Sequence, residues 1–375
     1  MNDQSQLSPI ARLAEAGCVP YVDTLDRSLI SSGALHRLID TDRISGVTTN
    51  PVIFGKAIAG GDEYEEDLIR LASEGSQGDD LFLQLMIDDV RAAADVLHGV
   101  YETSGRAYGY VSLEVLPELA HDADGTVAMA HDLWGKVDRP NLLIKVPATP
   151  EGIIAVEELV AAGVNVNVTT IFSARTYEEV FWAYFRGQQR RRVPDVVSVA
   201  SFFVSRIDNV VDAAIQNRVE QGTLEGSCLE LRGQAALASV RVVYECYKDL
   251  HERPVVKSVL GHGGLPQRLV WASMLPRNPT YRDVKYVEGV ALPDTIATIP
   301  VATLDAFRRH GVVDPKLATD PAAARRTLEV LADAGISMES VADELLDLVL
   351  GLFGQAIIDL REVVHARLQG AAVTR

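Results

Sequence analysis

Apolar and polar positions along this chain alternate between two rhythms. Short runs that are wholly apolar, or that switch sides at every residue, are separated by longer stretches with apolar residues three and four apart. The first rhythm predicts strands and the second helices. Strands are expected at 19–24, 46–51, 108–115, 141–149, 164–172, 196–204, 267–273 and 294–300. Helices are expected at 7–16, at 25–38 with a break at 31–33, at 62–72, 81–103, 124–137 and 153–162, and from Ser173 and Arg206 onward. The stretch 222–247 reads as an insertion or an elongated helix pair, 274–286 as an irregular loop, and Asn50-Pro51 as a turn. A helix at 301–310 and a helical tail at 321–368, broken at Gly335, complete the series.

Strands that each lead into a helix or loop predict an α/β protein, specifically a (β/α)8 TIM barrel with extra N-terminal and C-terminal helices. Residues 1–375 are read as a single barrel domain, with the helices at 321–368 packing on the barrel. An open doubly wound sheet is the alternative. No Gly-x-Gly-x-x-Gly follows the first strand, which counts against a dinucleotide-binding version.

One strand is chemically odd. In Asn141-Leu-Leu-Ile-Lys-Val-Pro-Ala-Thr149 a single lysine, Lys145, sits among apolar residues. Burying an ammonium is costly, so such a lysine either finds a carboxylate partner or loses its proton and becomes a nucleophilic amine. The strand alone leaves both readings open. Polar residues also close the other strands: Asp23, Asn50, Glu114, Thr169 and Ser201 each fall at or near a predicted C-terminal end. In a (β/α)8 barrel those ends share the face that carries the active site.

Composition narrows the classes. A formal net charge of -17 argues against broad nucleic-acid or anionic-membrane surfaces, while leaving room for a small anionic substrate held by local arginines. Cys18, Cys228 and Cys246 lack metal-ligand spacing and read as reduced thiols, so a cytoplasmic protein without a metal or cofactor is expected. No signal peptide and no membrane span are read from the apolar pattern.

Five motifs, taken together, resemble the longer bacterial transaldolases: Gly46-Val-Thr-Thr-Asn-Pro-Val-Ile-Phe54, Val111-Ser-Leu-Glu-Val115, Leu143-Ile-Lys-Val-Pro-Ala-Thr-Pro-Glu-Gly152, Asn165-Val-Asn-Val-Thr-Thr-Ile-Phe-Ser173 and Ser201-Phe-Phe-Val-Ser-Arg-Ile-Asp208. The resemblance runs from about Val19 to Leu304. It implies a metal-free class I aldolase-type barrel working through a Schiff base on Lys145. Asp23 matches the base, and Glu114 and Thr169 match the proton-relaying pair. Asn50, Asn167, Ser201, Phe203, Arg206, Ser273 and Arg277 match substrate-binding positions, Arg206 that of the phosphate arginine. The implied partners are ketose and aldose phosphates, and the implied form is a monomer or homodimer. The C-terminal segment is expected to help close the site, with Phe353 as a contact.

Some positions depart from the family pattern. Where these proteins read Trp-Ala-Ser-Thr-Gly-x-Lys, this chain has Trp271-Ala-Ser-Met-Leu-Pro-Arg277, and Leu116 replaces a polar residue after Glu114-Val115. These changes gather around the acceptor and phosphate end. They keep three readings alive: transfer of dihydroxyacetone between the usual sugar phosphates, a specialised transaldolase or aldolase with a different aldose acceptor, and a non-catalytic sugar-phosphate-binding barrel. The segment Arg190-Arg191-Arg192 reads as a solvated basic helix end.

Overall fold

The computed structural model describes residues 7–191, 193–314 and 320–373. Eight parallel strands close on themselves in the order of the chain: β1 Cys18–Asp23, β2 Gly46–Thr48, β3 Tyr110–Glu114, β4 Leu142–Pro147, β5 Val166–Ile171, β6 Ser198–Phe203, β7 Arg268–Ala272 and β8 Thr295–Ile299. Each expected strand is present, trimmed at its ends, and β8 pairs with β1 to complete the (β/α)8 barrel.

Strand period explains the layering inside. Leu142, Ile144 and Val146 of β4 point outward into the main core shared with the helices, whereas Leu143 points inward. A second, smaller cluster fills the barrel interior with Val19, Tyr21, Tyr110, Leu143, Val199, Val270 and Ile296. Two residues further along each strand the inward positions change character. Tyr21 is followed by Asp23, Tyr110 by Ser112, Leu143 by Lys145, Val199 by Ser201 and Ile296 by Thr298. The apolar layer is therefore a floor, and a polar layer rests on it at the C-terminal mouth. Gly46 makes room for this floor: a Cβ there would lie 2.2 Å from the Tyr21 ring.

The helical layer departs from expectation in a few places. The turn expected at Asn50-Pro51 is the start of a helix, Pro51–Gly60. Proline at the first helical position lacks only an N–H that would be unpaired anyway, and the extended Asn50 caps the helix. Pro254–Gly261 and Lys285–Gly289 are further helices that the apolar spacing did not announce. The stretch read as an insertion holds a 3-10 turn, Gly226–Leu231, and the start of one helix, Ala235–His251, whose buried side belongs to the main core.

The tail forms two helices, Pro321–Asp333 and Met338–Val373, separated at Gly335, which has φ +77. The long helix lies against Pro51–Gly60 and reaches the barrel mouth. Arg361 fastens it, paired with Asp79 at 2.7 Å and with Glu118. Arg190, at the end of helix Ala174–Arg190, pairs with Glu157 and Glu158 on the surface, while Arg192 lies outside the described residues. Among the described residues no helix is long and apolar enough to cross a membrane, and no group of three or more His, Cys, Asp or Glu is placed to hold a metal ion.

Candidate active site

Lys145 stands in the polar layer, 4% exposed. Its Nζ donates to the Thr49 carbonyl oxygen at 2.9 Å and lies 3.5 Å from Glu114 Oε2. Parallel register produces the second contact, because β3 and β4 set Glu114 beside Lys145. The first comes from Thr49, the residue just after β2, which pairs with β1 and β3. The lysine thus has the carboxylate partner expected of a buried ammonium. That partner is itself strained electrostatically: burial pushes the Glu114 carboxyl above its usual range, and Lys145 only partly opposes the shift. Asp23 is also raised, first by burial, against the pull of Lys145 and a hydrogen bond from Thr48.

A cavity of about 270 Å³ opens directly above this group. Asp23, Asn50, Lys145 and Ser201 line its polar side, with Thr48 and Thr298 between them. Arg206, Ser273 and Arg277 line it as well. Phe203, Phe353, Val52, Ile53, Met274 and Leu275 supply apolar walls. Met274 is fully buried, whereas Leu275 is 47% exposed at the rim. The replaced pair therefore splits into a support and a rim residue.

Arg206 enters at the start of helix Ser205–Glu220, half-buried, with its Nε unpaired among protein atoms. Burial and the neighbouring Arg277 push its pKa down to about 10, which still leaves it charged at neutral pH. Two neighbouring guanidinium groups that repel one another, with no carboxylate bridging them among the described residues, suit a dianion. Ser273 holds a left-handed backbone, φ 57, unusual outside glycine. Its hydroxyl meets Ser205 at 3.0 Å, and its carbonyl accepts from the Ser205 N–H, so the β7 end and the arginine helix are tied together.

Three expected site residues do not line the cavity. Glu114 reaches it through Lys145. Thr169 sits opposite Pro147 at the end of β5, fully buried, its hydroxyl without a protein partner. The next residue, Thr170, takes φ 59 and interrupts the β5–β6 register. Asn167 has both ends of its amide occupied: Nδ2 donates to Ser112 at 3.0 Å, and Oδ1 accepts from Ser201 at 2.7 Å. It acts on the cavity through Ser201. Asn50 serves twice, since Oδ1 caps helix Pro51–Gly60 while the residue also lines the cavity.

Thr48 and Thr298 escaped the sequence reading. The available signal was position: each is a threonine at the inward site near a strand end, in phase with Lys145. Chemically, the assembled group offers an amine, two carboxyls of raised pKa, hydroxyl and amide contacts, and a paired cationic end.

A closed parallel barrel whose C-terminal mouth gathers these groups defines a barrel enzyme acting on small molecules. More specifically, the chain belongs to the transaldolase/fructose-6-phosphate aldolase family, whose model matches residues 20–364. It is 44% identical to transaldolase 1 of Streptomyces coelicolor over 342 residues, covering 90% of this chain and 88% of that protein. It is 41% identical to the transaldolase of Saccharopolyspora erythraea, covering 89% of this chain and 90% of that protein. The Mycobacterium bovis transaldolase is 38% identical, with 97% of this chain and 98% of that protein covered.

Proposed function

We propose that this chain is a transaldolase that moves a dihydroxyacetone unit from a ketose phosphate, sedoheptulose 7-phosphate or fructose 6-phosphate, to an aldose phosphate. The observation that carries the reading is Lys145, buried in the wall of a cavity that Arg206 and Arg277 also line. That arrangement suits a substrate with a ketone at one end and a phosphate at the other.

The steps follow from the residues. Lys145 passes a proton to Glu114, and the resulting amine adds to the C2 ketone. Glu114, whose carboxyl burial makes easier to protonate, and Thr169 pass protons through a water so that the hydroxyl leaves as water and an iminium forms. Asp23 takes the proton of the C4 hydroxyl, the C3–C4 bond breaks, and its electrons flow into the iminium. An aldose phosphate leaves and a three-carbon enamine stays on Lys145. Asn50 and Ser201 hold its hydroxyls, with Asn167 fixing Ser201. The enamine then attacks the carbonyl of a second aldose, such as glyceraldehyde 3-phosphate or erythrose 4-phosphate, and water releases the product.

The proposal takes residues 1–375 as one domain whose C-terminal helices help close the site, in a cytoplasmic monomer or homodimer. Borohydride added with fructose 6-phosphate traps a dihydroxyacetone adduct on Lys145. Absence of the adduct, together with full turnover in Lys145→Ala, sinks the reading. The rim formed by Leu275 favours a second reading of the acceptor, in which a less polar aldehyde replaces an aldose phosphate. Rates for a panel of acceptors with fructose 6-phosphate as donor decide between them.

A further inference from the structure

Thr298 lies on β8, buried and facing the cavity beside Asp23. Its hydroxyl meets that of Thr48 on β2, and Thr48 Oγ1 donates to Asp23 Oδ1 at 2.7 Å. The two threonines and the carboxylate form one chain across three neighbouring strands.

Each hydroxyl carries a single hydrogen. Thr48 gives its hydrogen to Asp23, so the hydrogen between the threonines must come from Thr298. Thr298 then has only lone pairs to present to the cavity. We infer that Thr298 is a substrate-binding residue that accepts a hydrogen bond from a sugar hydroxyl, with its acceptor character set through Thr48 by the charge on Asp23.

The direction of the chain depends on the proton. While Asp23 is ionised it accepts, and the order Thr298 to Thr48 to Asp23 is forced. Once Asp23 carries a proton on Oδ1 it can donate to Thr48, Thr48 to Thr298, and Thr298 into the cavity. The wall beside the substrate thereby changes from acceptor to donor when the substrate hydroxyl becomes a carbonyl. Hydrogens only change partners along the chain, so no further reactant is needed. The charged groups facing Asp23 are Lys145 from β4 and Glu114 from β3, with Arg206 and Arg277 elsewhere in the cavity lining. None of them bridges the two threonines.

The inference rests on Asp23 as the base of the proposed reaction. The test is the pH profile of kcat and KM with fructose 6-phosphate and erythrose 4-phosphate, on the full chain. Thr298→Val is expected to raise KM about tenfold, the worth of one hydrogen bond, with a smaller loss in kcat. Its acidic limb moves to higher pH, because Thr48 is no longer polarised from behind. Thr298→Ser restores both values to within about twofold of wild type. In a Thr48→Val background, the added Thr298→Val change moves the acidic limb no further. The idea is overturned by wild-type kinetics in Thr298→Val, by an equal loss at every pH that serine does not rescue, or by limb shifts that add in the double variant. Thr298→Ala provides the same readings if the valine disturbs folding. Asp23→Asn separates the two layers of inference: unchanged cleavage there removes the base, whereas lost cleavage with an unmoved Thr298→Val profile removes only the relay.

Discussion

Asn167→Ala discriminates between a substrate contact and an internal strut. The asparagine is fully buried, and both hydroxyls it joins, Ser112 and Ser201, are 1% exposed. Truncation removes two hydrogen bonds, of 3.0 and 2.7 Å, and leaves those hydroxyls to seek other partners in a closed space. A net loss of about 1 kcal/mol per bond, plus the penalty for an unsatisfied buried group, puts the destabilisation at about 2–4 kcal/mol. The unfolding entropy scales at about 2.1 cal/mol/K per residue, or about 0.8 kcal/mol/K for a chain of 375 residues. The melting temperature should therefore drop by about 3–5 °C, with a matching shift in urea midpoint. Activity is read in a double-mutant cycle with Ser201→Ala. If Asn167 acts only through Ser201, the loss in kcat/KM on Asn167→Ala largely disappears in the Ser201→Ala background. Losses that multiply, with little change in stability, would refute the strut and return Asn167 to direct substrate contact.

Other outcomes follow from the same geometry. Burial raises the Asp23 carboxyl above its ordinary range, so the folded protein binds more protons than the unfolded chain between the two values. This group's contribution to stability therefore falls as pH rises through that window. Asp23→Asn should be inactive yet more stable than wild type at neutral pH, and urea melts should show the gap narrowing as pH falls through the raised folded value and closed by about pH 4, the ordinary aspartate value. Arg277→Ala should raise KM for phosphorylated acceptors about tenfold or more and leave an unphosphorylated aldehyde nearly unaffected, as steady-state kinetics with paired acceptors will test. Truncation before Leu345 removes Phe353 from the cavity wall and Arg361 from Asp79 and Glu118. Turnover should fall at least tenfold, and intact turnover in a folded truncation would show that the tail plays no part in the site.

The sequence by itself determined the barrel and the chemical core of its mouth. Buried parallel strands must be nearly continuous apolar runs, so a lysine inside one, and acids or hydroxyls at the ends of others, stand out against a strict period of two. Lys145, Asp23 and Glu114 were legible for that reason. Pro51 marked an element boundary correctly but not its kind, because proline ends one element and begins the next with the same local geometry. What only the tertiary structure decided is how the polar layer is wired. Register between strands distant in the chain sets Glu114 beside Lys145, spends the Asn167 amide on Ser112 and Ser201, and lines up Thr298, Thr48 and Asp23. Closure of β8 onto β1 brings the last of these together across most of the chain. A threonine's local sequence says only that it favours a strand. Which hydroxyl receives its single hydrogen depends on neighbours that arrive from other strands once the barrel has closed.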